Sequence, residues 1–333
     1  MIIDSHAHIH MPAESFRFMA ELIGGRANPY TLPKIPDASI RKVAEDQIKI
    51  MDSVGTDIQF ISPRPYLQMH SVKPAKVTEL WSRHCNDLIA EFVKLFPDRF
   101  RGVAGLPQYM DESLDLRAIP ELRRCVNDLG FVGCLINPDA TEGLGDPPGM
   151  GDPYWHPLYR VMVELDVPGL IHSAGSCSER ESYTLKFLNE ESISVVSLLG
   201  AKTLDAFPGL KIVVAHGGGA IPYQMGRFRS WNVRKGEKES FDDQIKKLYF
   251  DTCNYSEEAM ELLIKVVGSD NVMFGTEKPG TGSARNPLTG RDYDDMKPVI
   301  EGLTWLSEEE KSNIFECNCR RVYTRAFRKD KGT

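Results

Sequence analysis

The chain opens Ile2-Ile3-Asp4-Ser5-His6-Ala7-His8, and this stretch decides the fold. An apolar, β-branched start that runs into two histidines reads as a buried strand ending in ligating side chains. Residues two apart on a strand point to the same face, so His6 and His8 share one. If that face is the inside of a closed parallel barrel, both imidazoles meet where such barrels carry their chemistry, at the C-terminal ends of the strands.

Working outward, short apolar runs of the same kind recur at Ile58–Ile61, Gly102–Leu106, Val132–Ile136, Gly169–Ile171, Ile212–Ala215, Tyr249–Thr252 and Val272–Gly275, after the first at Ile2–Asp4. They begin roughly 25 to 55 residues apart, as a βα repeat requires. Their near-continuous apolar character suits strands buried on both faces. Helical spacing fills the gaps at Ile40–Ser53, Val77–Phe96, Glu112–Leu129, Tyr154–Leu165, Thr184–Phe207, Ser256–Val267 and Ser307–Phe315. Phe96-Pro97 reads as a stop, Gly130 as a helix-ending glycine, and Ser307 with Glu310 as a capping box. The expected architecture is an α/β, (β/α)8 TIM barrel forming a single domain over 1–333. It carries an insertion loop after strand one at 10–35, a Gly/Pro/Asp loop at 139–153 and a C-terminal helix or tail at 318–333. A doubly wound open sheet is the runner-up, without a glycine-rich phosphate loop to support it.

The 333 residues exceed the roughly 250 that such a barrel needs. Forty basic residues against 47 acidic ones leave a net charge of −7 and no basic stripe beyond the cluster Arg320, Arg321, Arg325 and Arg328, so nucleic acid is not an expected partner. No apolar stretch approaches the roughly 20 residues of a membrane span, and Met1-Ile2-Ile3-Asp4 leaves no room for a signal segment. Seven scattered cysteines without CxxC pairs fit a reduced, cytoplasmic setting.

The strand ends carry the chemistry. Strand two ends in Ser62-Pro63-Arg64, strand five in His172, strand six in His216-Gly217-Gly218-Gly219, strand seven in Asp251-Thr252-Cys253 and strand eight in Thr276-Glu277-Lys278. His6, His8, His172 and Glu277 form a four-ligand set for one divalent ion. Imidazole and carboxylate suit zinc, with manganese as the alternative. The competing reading of the His6/His8 pair is two packed core histidines. His216 is expected beside the reacting atoms as acid, base or electrostatic partner; the plain reading is a satisfied histidine at a capped strand end. Arg64 matches a substrate carboxylate through its bidentate fork. Lys278 and Arg285 add positive charge, which points to a small anionic substrate, though each alone reads equally as a surface charge. Cys177 and Tyr183 follow His172 and are read both as substrate contacts and as structural residues. His70 follows Arg64 and is a candidate for the pocket lining. His84 and His156, inside helical stretches, read as packing residues, and His10 lies where the chain turns away.

Asp4-Ser5-His6-Ala7-His8, Ile171-His172, Ala215-His216-Gly217-Gly218-Gly219 and Phe274-Gly275-Thr276-Glu277 together resemble the amidohydrolase superfamily, in its branch of decarboxylases and hydratases related to aminocarboxymuconate-semialdehyde decarboxylase. The resemblance spans the whole chain. It implies that the two strand-one histidines, His172 and the strand-eight carboxylate hold one zinc while His216 assists. Decarboxylases of the branch carry aspartate at the strand-eight position; Glu277 instead is similar to the 4-oxalomesaconate hydratases. Ser62-Pro63-Arg64, Asn137-Pro138-Asp139, Gly175-Ser176-Cys177 and Gly219-Ala220-Ile221-Pro222-Tyr223 also resemble that group. The implied activity is a zinc-dependent hydro-lyase acting on an unsaturated oxo-acid in aromatic-acid breakdown. Glu277 would act on the water and His216 or Cys177 on the proton at carbon. The resemblance further implies a homodimer or higher homo-oligomer. Competing expectations are a non-oxidative decarboxylase, a lactone or amide hydrolase, and a non-catalytic metal scaffold.

Overall fold

The structure, a computed structural model, describes residues 1–328. Eight parallel strands lie in consecutive order: β1 (Ile3–His8), β2 (Ile58–Ser62), β3 (Phe100–Ala104), β4 (Gly133–Ile136), β5 (Gly169–Ile171), β6 (Ile212–Val214), β7 (Tyr249–Asp251) and β8 (Val272–Met273). The last strand returns to the first. Ser5 N–H donates to the Phe274 carbonyl at 2.8 Å and Glu277 N–H to the His6 carbonyl at 2.7 Å. Consecutive order with this closure makes a barrel and excludes the doubly wound sheet, whose order would reverse at a switch point. Pairing of β1 with β2 shifts register between Asp4 and Ala7, a bulge of the kind that re-aims side chains beside sites.

The principal helices outside the sheet are α1 (Ala13–Ile23), α2 (Asp37–Val54), α3 (Lys76–Leu95), α4 (Ala118–Asn127), α5 (His156–Leu165) and α6 (Tyr183–Gly200), followed by shorter helices and Glu257–Val267. The main core lies between these helices and the outer face of the sheet. The expected loop at 10–35 contains α1. Its buried residues Ser15, Phe18 and Leu22 fall on one face, and Phe18 and Leu22 pack with Val77, Leu80, Trp81 and Cys85 of α3. Two expected helices are shorter than read: α4 begins at Ala118, and the stretch expected to run from Thr184 to Phe207 breaks where Lys202 adopts φ 55°. The Ser307–Glu310 capping box forms as expected.

Inside the lower half of the barrel, Ile3, Phe60, Val103, Leu135, Leu170, Val213 and Met273 meet Cys319, Val322 and Tyr323 of the C-terminal segment. That segment is helical at Asn318–Val322 and again at Thr324–Phe327; the remainder of the expected tail, 329–333, lies outside the described residues. Among the described residues no helix is long and apolar enough to cross a membrane.

Candidate metal centre and active site

His6, His8, His172 and Glu277 converge, with one ligating atom from each lying within 4.8 Å of the others. His6 Nε2 is 3.3 Å from His8 Nε2; Glu277 Oε1 is 3.5 Å from His8 Nε2 and 3.6 Å from His172 Nε2. A tetrahedron with bonds of 2.0–2.1 Å has edges of about 3.3–3.4 Å, so these separations suit one divalent ion.

The far side of each ring fits the same purpose. His6 Nδ1 meets Asp251 Oδ2 at 2.6 Å, His8 Nδ1 meets Ser62 Oγ at 2.8 Å, and His172 Nδ1 meets the Ser173 carbonyl at 2.7 Å. Each outer nitrogen is occupied, so each Nε2 lone pair faces the centre. His172 Nε2 is buried with no hydrogen-bond partner, an orphan that a cation would satisfy. Burial holds His6 below and His8 well below the ordinary histidine range, which keeps them neutral and able to ligate. Burial would raise Glu277, yet the facing imidazoles of His172, His216 and His8 hold its carboxyl well below the usual range. The donor set of three nitrogens and one carboxylate fits a divalent ion. A neighbouring group of His6, Asp251 and Cys253 shares the same space, but burial pushes the Cys253 thiol well up, and Asp251 is engaged in orienting His6.

His216 stands beside this centre, its Nε2 3.8 Å from Glu277 Oε2 and its Nδ1 2.8 Å from Glu191 Oε1. Burial disfavours its charge, but Glu191 and then Glu277 override that and hold the imidazolium well above the ordinary range. Three residues at the ends of β6, β7 and β8 adopt left-handed backbone: His216 (φ 50°), Tyr255 (φ 60°) and Glu277 (φ 59°). Such strain, about 1–3 kcal/mol per residue, gathers where geometry serves chemistry. A cavity of about 340 Å³ opens here, lined among others by Glu277, His216, Phe187, Asn254, Tyr255 and Thr281. A larger hollow of about 840 Å³ at the opposite end is lined by Arg99, Arg101 and Arg320 and by no histidine, so the smaller cavity is the one with chemistry.

The other expected site residues divide. Arg64 is half-buried, and its guanidinium makes one hydrogen bond among the described residues, Nη2 to the Pro279 carbonyl at 3.0 Å, leaving the fork open. Tyr183 starts α6, edge-on to Phe187 at 4.6 Å and to Tyr66 at 5.8 Å. Phe187 in turn stacks on His216 at 5.7 Å, so the three rings form a wall above the centre. Cys177 is exposed, with its thiol 4.0 Å from Ser71 Oγ, in the loop after β5 and outside the cavity lining.

Three more of these residues have other partners in the structure. Lys278 is buried, with its ammonium 2.8 Å from Asp292 and 2.7 Å from Asp294; the pair neutralises it and turns it from the cavity. Arg285 is 72% exposed, and its nearest carboxylate is Asp292 at 3.9 Å, on the outer loop. His70 is buried with both nitrogens engaged, Nε2 to the Leu106 carbonyl at 3.0 Å and Nδ1 to Asn137 Nδ2 at 2.8 Å, leaving nothing for a ligand. Sequence reading assigned no role to Asp251, Ser62, Glu191 or Tyr255. Glu191 is fully buried in α6, and the signal in the sequence was its helical spacing with Phe187, Val195 and Leu198, which puts a carboxylate on the core-facing side.

The amidohydrolase family model matches residues 3–325. The chain is 38% identical to 2-keto-4-carboxy-3-hexenedioate hydratase of a Sphingobium species, covering 98% of this chain and 96% of that protein. The crystal structure of 4-oxalomesaconate hydratase from Rhodopseudomonas palustris superposes with a TM-score of 0.87 at 35% identity, covering 98% of this chain and 96% of that one. A dihydroxybenzoic acid decarboxylase from Polaromonas, solved with bound manganese, shares the fold with a TM-score of 0.73 at 24% identity, covering 97% of this chain and 96% of that one. Eight parallel strands that deliver three histidines and a glutamate to one rim, within a family match that spans nearly the whole chain, place this protein in the amidohydrolase family.

Proposed function

We propose that this chain is a metal-dependent hydratase that adds water across a carbon–carbon double bond conjugated to a carbonyl, in an unsaturated oxo-di- or tricarboxylate of the 4-oxalomesaconate kind. The observation that carries it is the divided carboxylate of Glu277. One oxygen faces His8 and His172, and the other faces His216 and Tyr255 in the cavity. A base that must take a proton from water needs an oxygen left over from ligation, and Oε2 of Glu277 is that oxygen.

His6, His8, His172 and Glu277 would hold the ion, proposed as zinc with manganese as the alternative, and it supplies Lewis acidity that lowers the pKa of water toward about 7 or polarises a substrate oxygen. Arg64 grips a substrate carboxylate and sets the double bond over the water. Glu277 Oε2 takes the water proton as the oxygen bonds to the β-carbon, and the displaced electron pair moves into the conjugated carbonyl. His216, held as imidazolium by Glu191, or Cys177 from the β5 loop, returns a proton to the α-carbon. Tyr183 lines the approach. The substrate is a small anionic carboxylic acid. The working form is a homodimer or higher homo-oligomer in a reducing, cytoplasmic setting, consistent with seven free cysteines.

A decarboxylase would use the same centre and His216, and the shared fold with a decarboxylase keeps that reading second. One assay separates them: ultraviolet absorbance of 4-oxalomesaconate with the purified enzyme, with released CO2 and bound metal measured on the same sample. Loss of conjugated absorbance without CO2 is expected, and CO2 in step with turnover would establish the decarboxylase instead.

A further inference from the structure

We infer that Tyr255 is a positioning residue for Glu277. Its hydroxyl holds one carboxylate oxygen away from the histidine ligands, so that this oxygen is the one that receives the water proton. The inference rests on the hydratase reading for the identity of that proton; the grip on Glu277 stands on geometry alone.

Tyr255 Oη donates to Glu277 Oε2 at 2.9 Å, while its other acceptor, the Thr276 carbonyl, is farther at 3.4 Å. Glu277 Oε1 is the oxygen turned toward His8 and His172. The terminal torsion of a glutamate is broad and roughly two-fold, so nothing intrinsic to the side chain tells its two oxygens apart. A hydroxyl fixed on one of them does. A phenol is protonated at neutral pH, so it remains a donor.

The surrounding chain is shaped to keep this contact. Tyr255 and Glu277 both stand at positive φ, 60° and 59°, strained backbone where the chain leaves β7 and β8. The loop after Glu277 then folds over both. A Cβ on Gly282 would lie 2.8 Å from Tyr255 Cζ and 2.9 Å from its Cε2, and one on Gly280 would lie 3.1 Å from Glu277 Cγ. Only glycines let the backbone approach so closely. His216 meets the same oxygen at 3.8 Å, so Oε2 lies between a fixed donor and the proposed proton carrier.

Tyr255→Phe keeps the ring and removes the hydroxyl. In the metal-loaded holoenzyme, stoichiometric metal and an unchanged KM are expected, with kcat lowered about 10- to 100-fold, the scale of a lost hydrogen bond to a charged group. In a Glu277→Gln background the same change should cost almost nothing more, since both act through one oxygen. A second readout needs no substrate. In the cobalt-substituted protein, release of Oε2 should alter the visible absorption bands of the ion. Full kcat, or a raised KM with kcat intact, overturns the inference, and so does an unchanged cobalt spectrum. A wild-type enzyme that releases CO2 instead of hydrating overturns the hydratase reading, and the cobalt spectrum then decides the Tyr255 contact separately.

Discussion

The two ends of this barrel are built by opposite rules. At the C-terminal rim His6, His8, His172, Asp251 and Glu277 are buried polar groups; Asp251 holds His6 and Ser62 holds His8 from other strands, the adjacent Ser173 carbonyl holds His172, and His216, Tyr255 and Glu277 carry strained backbone. At the other end Ile3, Phe60, Val103, Leu135 and Met273 fill the interior, and Tyr323 closes it, edge-on to Phe60 at 4.9 Å. A Cβ on Gly133 would lie 2.8 Å from the Tyr323 ring, so the stopper is fitted closely. The rim tolerates desolvated polar groups because the opposite end supplies the apolar burial that holds the strands in place.

The sharpest way to break this contrast is at the rim. His6→Ala should reduce bound metal, measured by elemental analysis after dialysis, from stoichiometric to near zero while far-ultraviolet circular dichroism stays native. A full complement of metal would remove His6 from the ligand set. At the stopper the order reverses. Tyr323→Ala should lower stability in urea by about 3–5 kcal/mol, the scale for a large buried aromatic, while the folded fraction binds metal as before. A loss under about 1 kcal/mol would mean that the stopper contributes little to holding the barrel.

The smallest effect sharpens the comparison with a third place, where α1 rests on α3. His84 Nε2 meets Ser15 Oγ at 2.9 Å, and burial lowers the ring to about 4 from 6.5. The unfolded chain therefore takes up the proton first. Stability from this histidine is present above about pH 6.5 and lost as the pH falls toward 4, amounting to about 2 kcal/mol between pH 7 and 5. His84→Gln should flatten that slope in urea titrations at the two pH values; an unchanged slope would assign it to other groups. This histidine is a packing residue, as its helical setting suggests, and its pH response is that of a neutral ring kept from water.

Strands were legible because a strand buried on both faces has one composition, and the four proposed ligands were legible because they stand directly at strand ends. Helix α1 was not, since Pro12, Pro29 and Pro33 mark the segment as loop and hide the face of Ser15, Phe18 and Leu22. Asp251 was visible at a strand end, but its bond to His6 joins residues 245 positions apart, and no local pattern carries that. Lys278 misled for the same reason in reverse. Its charge is cancelled by Asp292 and Asp294, 14 and 16 positions later, on a loop whose return could not be foreseen.

The seam between β8 and β1 has a consequence for the life history of the protein. Ser5 and Phe274, which meet there, are 269 positions apart, and Glu277 lies beyond them. During synthesis the first two histidines emerge long before the last ligand, so the complete site exists only after nearly the whole chain has left the ribosome. An ion that binds the completed set stabilises the finished barrel over every earlier intermediate. Metal supply would then act late, as a latch on assembly rather than a seed for it, and scarcity of the ion should show as slow closure of the terminal strands.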